Sequence, residues 1–177
     1  FLMKTNSDGV MVWSKKYGDN NTNVATSVKQ TTDSGYIIGG YTTNFGAGGT
    51  DFYLIKTDSI GNIQWSNTYG GDNNDEANDV RQTADKGYAI FGSTNSFGAG
   101  KEDYLLVKTD SSGNLEWTKT FGSTEDDMGM FVLNVGDSFL IGGYSNDINF
   151  SALIMTDADG DIIWAKKGIK GLSIAPG

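Results

Sequence analysis

DYLLVKTDSSGNLEW, residues 103–117, decides the reading of this chain, because it is written more than once. It occurs as DFYLIKTDSIGNIQW at 51–65 and, more worn, as SALIMTDADGDIIW at 151–164, and a shortened version, FLMKTNSDGVMVW, occupies 1–13. In each copy a β-rich run is followed by a turn of Asp, Ser and Gly and by a second run ending in Trp, which is the signature of a β-hairpin. Gly113 supplies the positive φ that a tight reversal needs, and Asp110 can bond its own backbone two residues on.

The tryptophans set the period. Trp13 to Trp65 is 52 residues, Trp65 to Trp117 is 52 and Trp117 to Trp164 is 47. About half the positions of 18–69 recur in 70–121, in columns such as Tyr17, Tyr69 and Phe121, or Val28, Val80 and Val132. Between hairpins, each unit adds two further strands, VATSVKQT and GYIIGGYT in the first full repeat, joined by TDSG and followed by the loop NFGAGGT. No stretch sustains the i, i+3, i+4, i+7 spacing of a helix. Four short antiparallel strands in about 50 residues make a β-propeller blade. The fold class expected is therefore all-β: a half-blade at 1–17, three four-stranded blades at about 18–69, 70–121 and 122–168, and a tail at 169–177 that does not match the next strand. Runs such as DFYLI and YLLV, apolar on both sides, fit sheets covered by neighbours on both faces. The chain opens on the third strand of a blade, so unpaired edges and uncovered apolar faces are expected at its ends. Such surfaces seek a partner, either a further copy or the remainder of a longer chain.

Composition narrows the function. The net charge is −9 over 177 residues, which disfavours nucleic acid as a partner. With no Cys and no His, the chain has no thiolate zinc site and no Ser-His or Cys-His nucleophile pair. No apolar run is long enough for a membrane helix. FLMKTNSDG lacks the basic start and apolar run of a signal peptide and reads as the interior of a longer or processed chain.

The pattern D-[FY]-x-L-[IV]-K-T-D-x-x-G-N-x-x-W, then YGG with an acidic loop, then QT-x-D-x-GY-x-x-x-G-x-T resembles the secreted β-propeller repeats of bacterial and archaeal surface proteins, the group of seven-bladed propeller repeats among them. The resemblance spans nearly the whole chain. It implies a propeller fold, a place outside the cell or on its surface, and a multidomain parent protein, but little about activity, since fold does not carry function. The third blade departs from the pattern: SNDINFS stands in place of the GAG loop, and Met155 in place of Lys56 and Lys108.

Candidate chemistry lies in the loops. The connections between blades, GDNNTN, GGDNNDEAND and GSTEDDMG, share one face with NFGAGGTD and SFGAGKED in blade topology. That face would carry Asp72, Asp75, Glu76, Asp79, Glu125, Asp126 and Asp127. Such a set suits Ca²⁺, which takes six to eight oxygen ligands; the plainer reading is a solvated acidic rim. DADGD at 157–161 resembles the start of a calcium loop but has Gly168 where the distal Glu belongs, and its siblings are hairpin turns. The Gly runs at 46–49 and 98–100 lack the Lys-Ser/Thr of a phosphate loop and read as loops. Trp13, Trp65, Trp117 and Trp164 hold one fixed place per blade, which argues for packing between blades rather than sugar stacking. A carboxylate pair for glycan hydrolysis or lysis cannot be picked from so many acids, and an active site would break the repeat at one place. The expectation is a non-catalytic propeller module serving as scaffold or in adhesion, with protein or a cell-surface glycan as partner. The alternative is a Ca²⁺-dependent or lectin-like module.

Overall fold

The computed structural model describes residues 1–146 and 150–169. Among these, fourteen strands form four antiparallel sheets and there is no helix. The first sheet has two strands, β1 (Leu2–Thr5) and β2 (Met11–Lys15). Three four-stranded sheets follow: β3 (Asn23–Gln30) to β6 (Ile63–Tyr69), β7 (Asp75–Gln82) to β10 (Leu115–Phe121), and β11 (Asp127–Val135) to β14 (Ile162–Ile169), with β4 (Tyr36–Thr42), β5 (Asp51–Thr57), β8 (Tyr88–Thr94), β9 (Asp103–Thr109), β12 (Ser138–Ser145) and β13 (Phe150–Thr156) between them. Each sheet is a plain meander in chain order, A-B-C-D, so the half-blade and three blades expected from the period are what the chain forms. The tail beyond Ile169 lies outside the described residues.

The blades stack face on face. Ile37, Phe52 and Leu54 of the first four-stranded blade meet Val80, Ile90 and Val107 of the second in one apolar cluster. Phe91, Leu106 and Phe121 of the second meet Val132, Ile141 and Ile154 of the third in another. The middle blade is covered on both sides, so every residue of β8 and β9 is buried, whether its side chain points to one neighbour or the other. Period-2 alternation of hydrophobicity is absent there for that reason.

Two β-bulges recur in every four-stranded blade. In strand A the register slips at Thr26, Asn78 and Met130, and in strand D at Gln64, Glu116 and Ile163. A bulge turns one extra side chain out of the pleat. In strand A that side chain reaches the next blade: Thr26 Oγ1 donates to Ala77 O at 2.7 Å, and Asn78 Nδ2 donates to Gly129 O at 2.7 Å.

The tryptophans pack between blades. Trp13, Trp65 and Trp117 meet Tyr36, Tyr88 and Phe139 of the following blade edge to face, at 5.8, 5.5 and 6.0 Å. Trp65 also lies under the hairpin turn of the next blade, where Gly113 has φ 80°. The phenol of Tyr69 donates to Gly113 O at 2.7 Å, as Tyr17 does to Gly61 O at 2.9 Å. Trp164 lies on the outer side of the last described blade and is 37% exposed.

Candidate functional site

Both connections expected on one rim do lie together. Gly49 N donates to Asn73 O and Asp75 N to Thr50 O, joining the second-to-third strand loop of one blade to the strand-A entry of the next. The equivalent bond in the following seam runs from Asp127 N to Glu102 O. The seven acids named from the sequence do not share one site there. Asp72, Glu76 and Glu125 are exposed; Glu125 pairs with Lys101 at 3.3 Å, and Asp126 accepts from Asn146 Nδ2 at 3.1 Å. Asp79 leaves the rim altogether. It sits in mid-strand after the Asn78 bulge and is buried in the inner seam. There it accepts from Ser27 Oγ at 2.7 Å and is flanked by Lys29 and Arg81 at 3.6 and 3.4 Å. Among the described residues, no three acids converge as metal ligands.

Asp75 and Asp127 behave differently, because each meets an acid that the sequence did not single out. Asp51 opens strand C of one blade and Asp75 opens strand A of the next; Asp103 and Asp127 repeat the arrangement one seam on. All four are at most 2% exposed. A Cβ on Gly70 would stand 2.7 Å from Asp75 Oδ2 and closer still to Asp51 Oδ1, so these two oxygens are less than twice 2.7 Å apart. On Gly122 it would stand 2.9 Å from Asp127 Oδ2 and closer still to Asp103 Oδ1. Glycine is required at both places because any side chain would fill the space between the carboxylates.

One lobe of each acid is held by the loops. Gly71 N and Ser96 Oγ both donate to Asp75 Oδ2 at 2.8 Å, Gly100 N to Asp103 Oδ2 at 2.8 Å and Ser123 N to Asp127 Oδ2 at 2.6 Å. Asp75 Oδ1 and Asp103 Oδ1 are buried and have no hydrogen-bond partner, as are Thr50 Oγ1 and Ser145 Oγ. Burial pushes the Asp51 and Asp103 carboxyls up, and the facing Asp75 and Asp127 charges add to it.

The opposite rim holds a second polar cluster. Lys56, 3% exposed, donates to Asp33 Oδ2 at 2.8 Å, Thr57 O at 2.8 Å and Gln64 Oε1 at 2.9 Å. Lys108 does the same with Asp85 at 2.7 Å, Thr109 O at 3.0 Å and Glu116 at 2.8 Å. Each ammonium has all three protons placed, so it is a structural clamp joining the A–B turn to strands C and D. The Lys56 bond holds Asp33 at about 2. Asp85 is also held at about 2, where burial opposes ionisation and the Lys108 bond outweighs it.

The motif at 157–161 is a turn, as its siblings suggested. Asp157 Oδ1 accepts from Asp159 N and Asp161 N at 3.0 and 2.8 Å, and Asp110 repeats this with Ser112 N and Asn114 N. No family model matches the chain, and no curated protein matches it in sequence.

Proposed function

We propose that this chain is a non-catalytic propeller module whose working surfaces are the faces of its end blades. One observation carries this reading: the outer face of the third blade has exchanged polar seam residues for apolar ones, position by position. Strand A of the middle blade has Glu76, Asn78, Asp79 and Arg81; strand A of the third has Met128, Met130, Phe131 and Leu133. Met128 and Met130 are 48% and 61% exposed, and Trp164 lies on the same blade. At the other end, Val24, Val28, Ile38, Tyr53 and Ile55 line a groove of ≈ 240 Å³ beside the two-stranded half-blade. The counterparts of Val28, Ile38, Tyr53 and Ile55 in the middle blade, Val80, Ile90, Leu105 and Val107, are covered by the blade before it and are at most 1% exposed. The complement of each end face is therefore another blade of this type, in a further copy or in the rest of a longer chain, and a scaffold or adhesive role outside the cell follows from the resemblance of the repeats.

The test is sedimentation of the 177-residue chain beside a variant carrying the middle blade's residues, Met130→Asn, Phe131→Asp and Leu133→Arg. Concentration-dependent association of the parent, lost in the variant, is the expected result. A parent chain that stays monomeric at high concentration overturns the reading.

A lectin-like reading has one observation in its favour. Phe45 and Phe97, 40% and 46% exposed, stand on the walls of a cleft between the first two four-stranded blades, with Asn67 and Asn114 beside them. Aromatic faces and amides are what a sugar ring stacks on and bonds to. Binding in a glycan array that is lost in Phe97→Ala would decide for it.

A further inference from the structure

We propose that each of the two seams between four-stranded blades holds one oxygen-seeking divalent cation, Ca²⁺ by donor type and size, between Asp51 and Asp75 and between Asp103 and Asp127. The need for an occupant comes from burial. Two carboxylates facing each other across a glycine, with almost no exposed surface, repel in a low dielectric unless a cation or a shared proton lies between them. Among the described residues no ion pair reaches any of the four acids, although Lys29, Lys56, Arg81, Lys101, Lys108 and Lys119 all find acidic partners elsewhere.

The hydrogen bonding points the same way. The loop N–H groups hold Asp75, Asp103 and Asp127 by Oδ2, a bond that fixes each carboxyl in place. Asp103 Oδ1, the lobe turned towards Asp127, is left without a partner, in a residue 1% exposed. Asp75 Oδ1 is likewise unpartnered in a residue with no exposed surface. Buried polar atoms are nearly always satisfied, so each of these asks for a ligand. Only oxygen donors are at hand, which selects a hard cation. The spacing across Gly70 and Gly122 is within reach of two oxygens sharing an ion at Ca–O distances of about 2.3–2.6 Å.

Not every copy of these two positions carries an acid. Strand A of the first four-stranded blade begins with Asn23 in place of Asp75 and Asp127; its amide is fully occupied, accepting from Thr42 Oγ1 at 3.0 Å and donating to Asp19 at 2.9 Å. Strand C of the third blade begins with Phe150 in place of Asp51 and Asp103.

The experiment is calorimetric titration of chelator-treated protein with CaCl₂ at neutral pH, read as ions bound per chain, with Tb³⁺ luminescence as a second readout of occupancy. Two ions per chain are expected, falling to one in Asp51→Asn and to one in Asp103→Asn. The rim variant Glu125→Gln with Asp72→Asn, which touches neither pair, should still bind two. Should an Asp→Asn chain fail to fold, the rim variant and the parent still decide. Absence of binding at millimolar Ca²⁺ in the parent overturns the proposal and leaves the pairs sharing a proton. Binding that disappears with Glu125 and Asp72 also overturns it, because the ion then sits on the exposed rim.

Discussion

The second and third blades have the same four strands, the same two bulges and the same hairpin turn, yet one is a polar machine inside and the other is greasy. In the second blade, Asn78, Asp79 and Arg81 bond across to Gly129 O, Ser27 and Val132 O, and Lys108 draws Asp85 and Glu116 together. The third blade keeps none of these residues. It has Met130, Phe131 and Leu133 on strand A, Met155 for the lysine and Ile163 for Glu116. Its first turn shrinks with them, from the five-residue connection between Gln82 and Tyr88 to the pair Gly136 and Asp137 between Val135 and Ser138. The lesson is that the clamp is one unit. A buried lysine is tolerable only with all its acceptors, so lysine, turn acid and the polar bulge residue, Gln64 or Glu116, come and go together.

The sharpest way to break the comparison is in the cores. Phe91→Ala, at a ring with no exposed surface packed on Tyr104, should cost about 3–5 kcal/mol, whereas Phe131→Ala in the half-buried outer face of the third blade should cost less than half of that. Denaturant unfolding of the two variants measures the ratio; equal losses would mean that the outer face is covered in solution. Next comes the clamp. Lys108→Met removes the donor to Thr109 O, a buried carbonyl, and should cost about 1–3 kcal/mol. Adding Glu116→Ile, which copies the third blade, should recover part of it, and a double variant worse than the sum would show that the clamp is not a unit.

The clamps also set a pH dependence. Asp33 and Asp85 are held at about 2, below the unfolded value near ~3.9. Their contribution is fully present above the unfolded value and is lost as pH falls through about 2. Stability measured from pH 5 downwards should therefore drop more in the parent than in Lys108→Met, where Asp85 has lost the bond that lowers it. The smallest effect is expected at the third blade's short turn. Gly136 has φ 63° and open space around it, so Gly136→Ala should cost only the left-handed penalty, about 1 kcal/mol, seen as a small shift in melting temperature.

The blades could be read from the sequence because they are written in periodic residues: a tryptophan column, a glycine turn and strands of regular length. The paired acids could not be read in the same way. Asp51 and Asp103 each look like a lone polar residue at the head of an apolar strand, and their partners stand 24 residues on, in the next blade. The recurrence of that offset twice is the one signal that could have found them. Asp79 was expected on the rim because it lies close to Asp75 in sequence; the strand carries it inward and the bulge at Asn78 turns it to the seam, which no count of residues reveals. The lysines stood out only as a motif position lost in the third blade, since their acceptors come from the turn between strands A and B, the lysine's own strand and strand D.

The bulge bonds from Thr26 to Ala77 and from Asn78 to Gly129 span 51 residues each. The substantial contacts between four-stranded sheets likewise run from each blade to the one after it, from β3, β4 and β5 to β7 and from β7, β8 and β9 to β11. Every blade added thus closes a loop of the same length as the last. Closure entropy grows only with the logarithm of that length, so no step is harder than the one before. Such a chain can fold in the order in which it is made, each blade using the finished face of its predecessor as a template. Its folding time should then rise in proportion to the number of blades rather than steeply with the length of the chain.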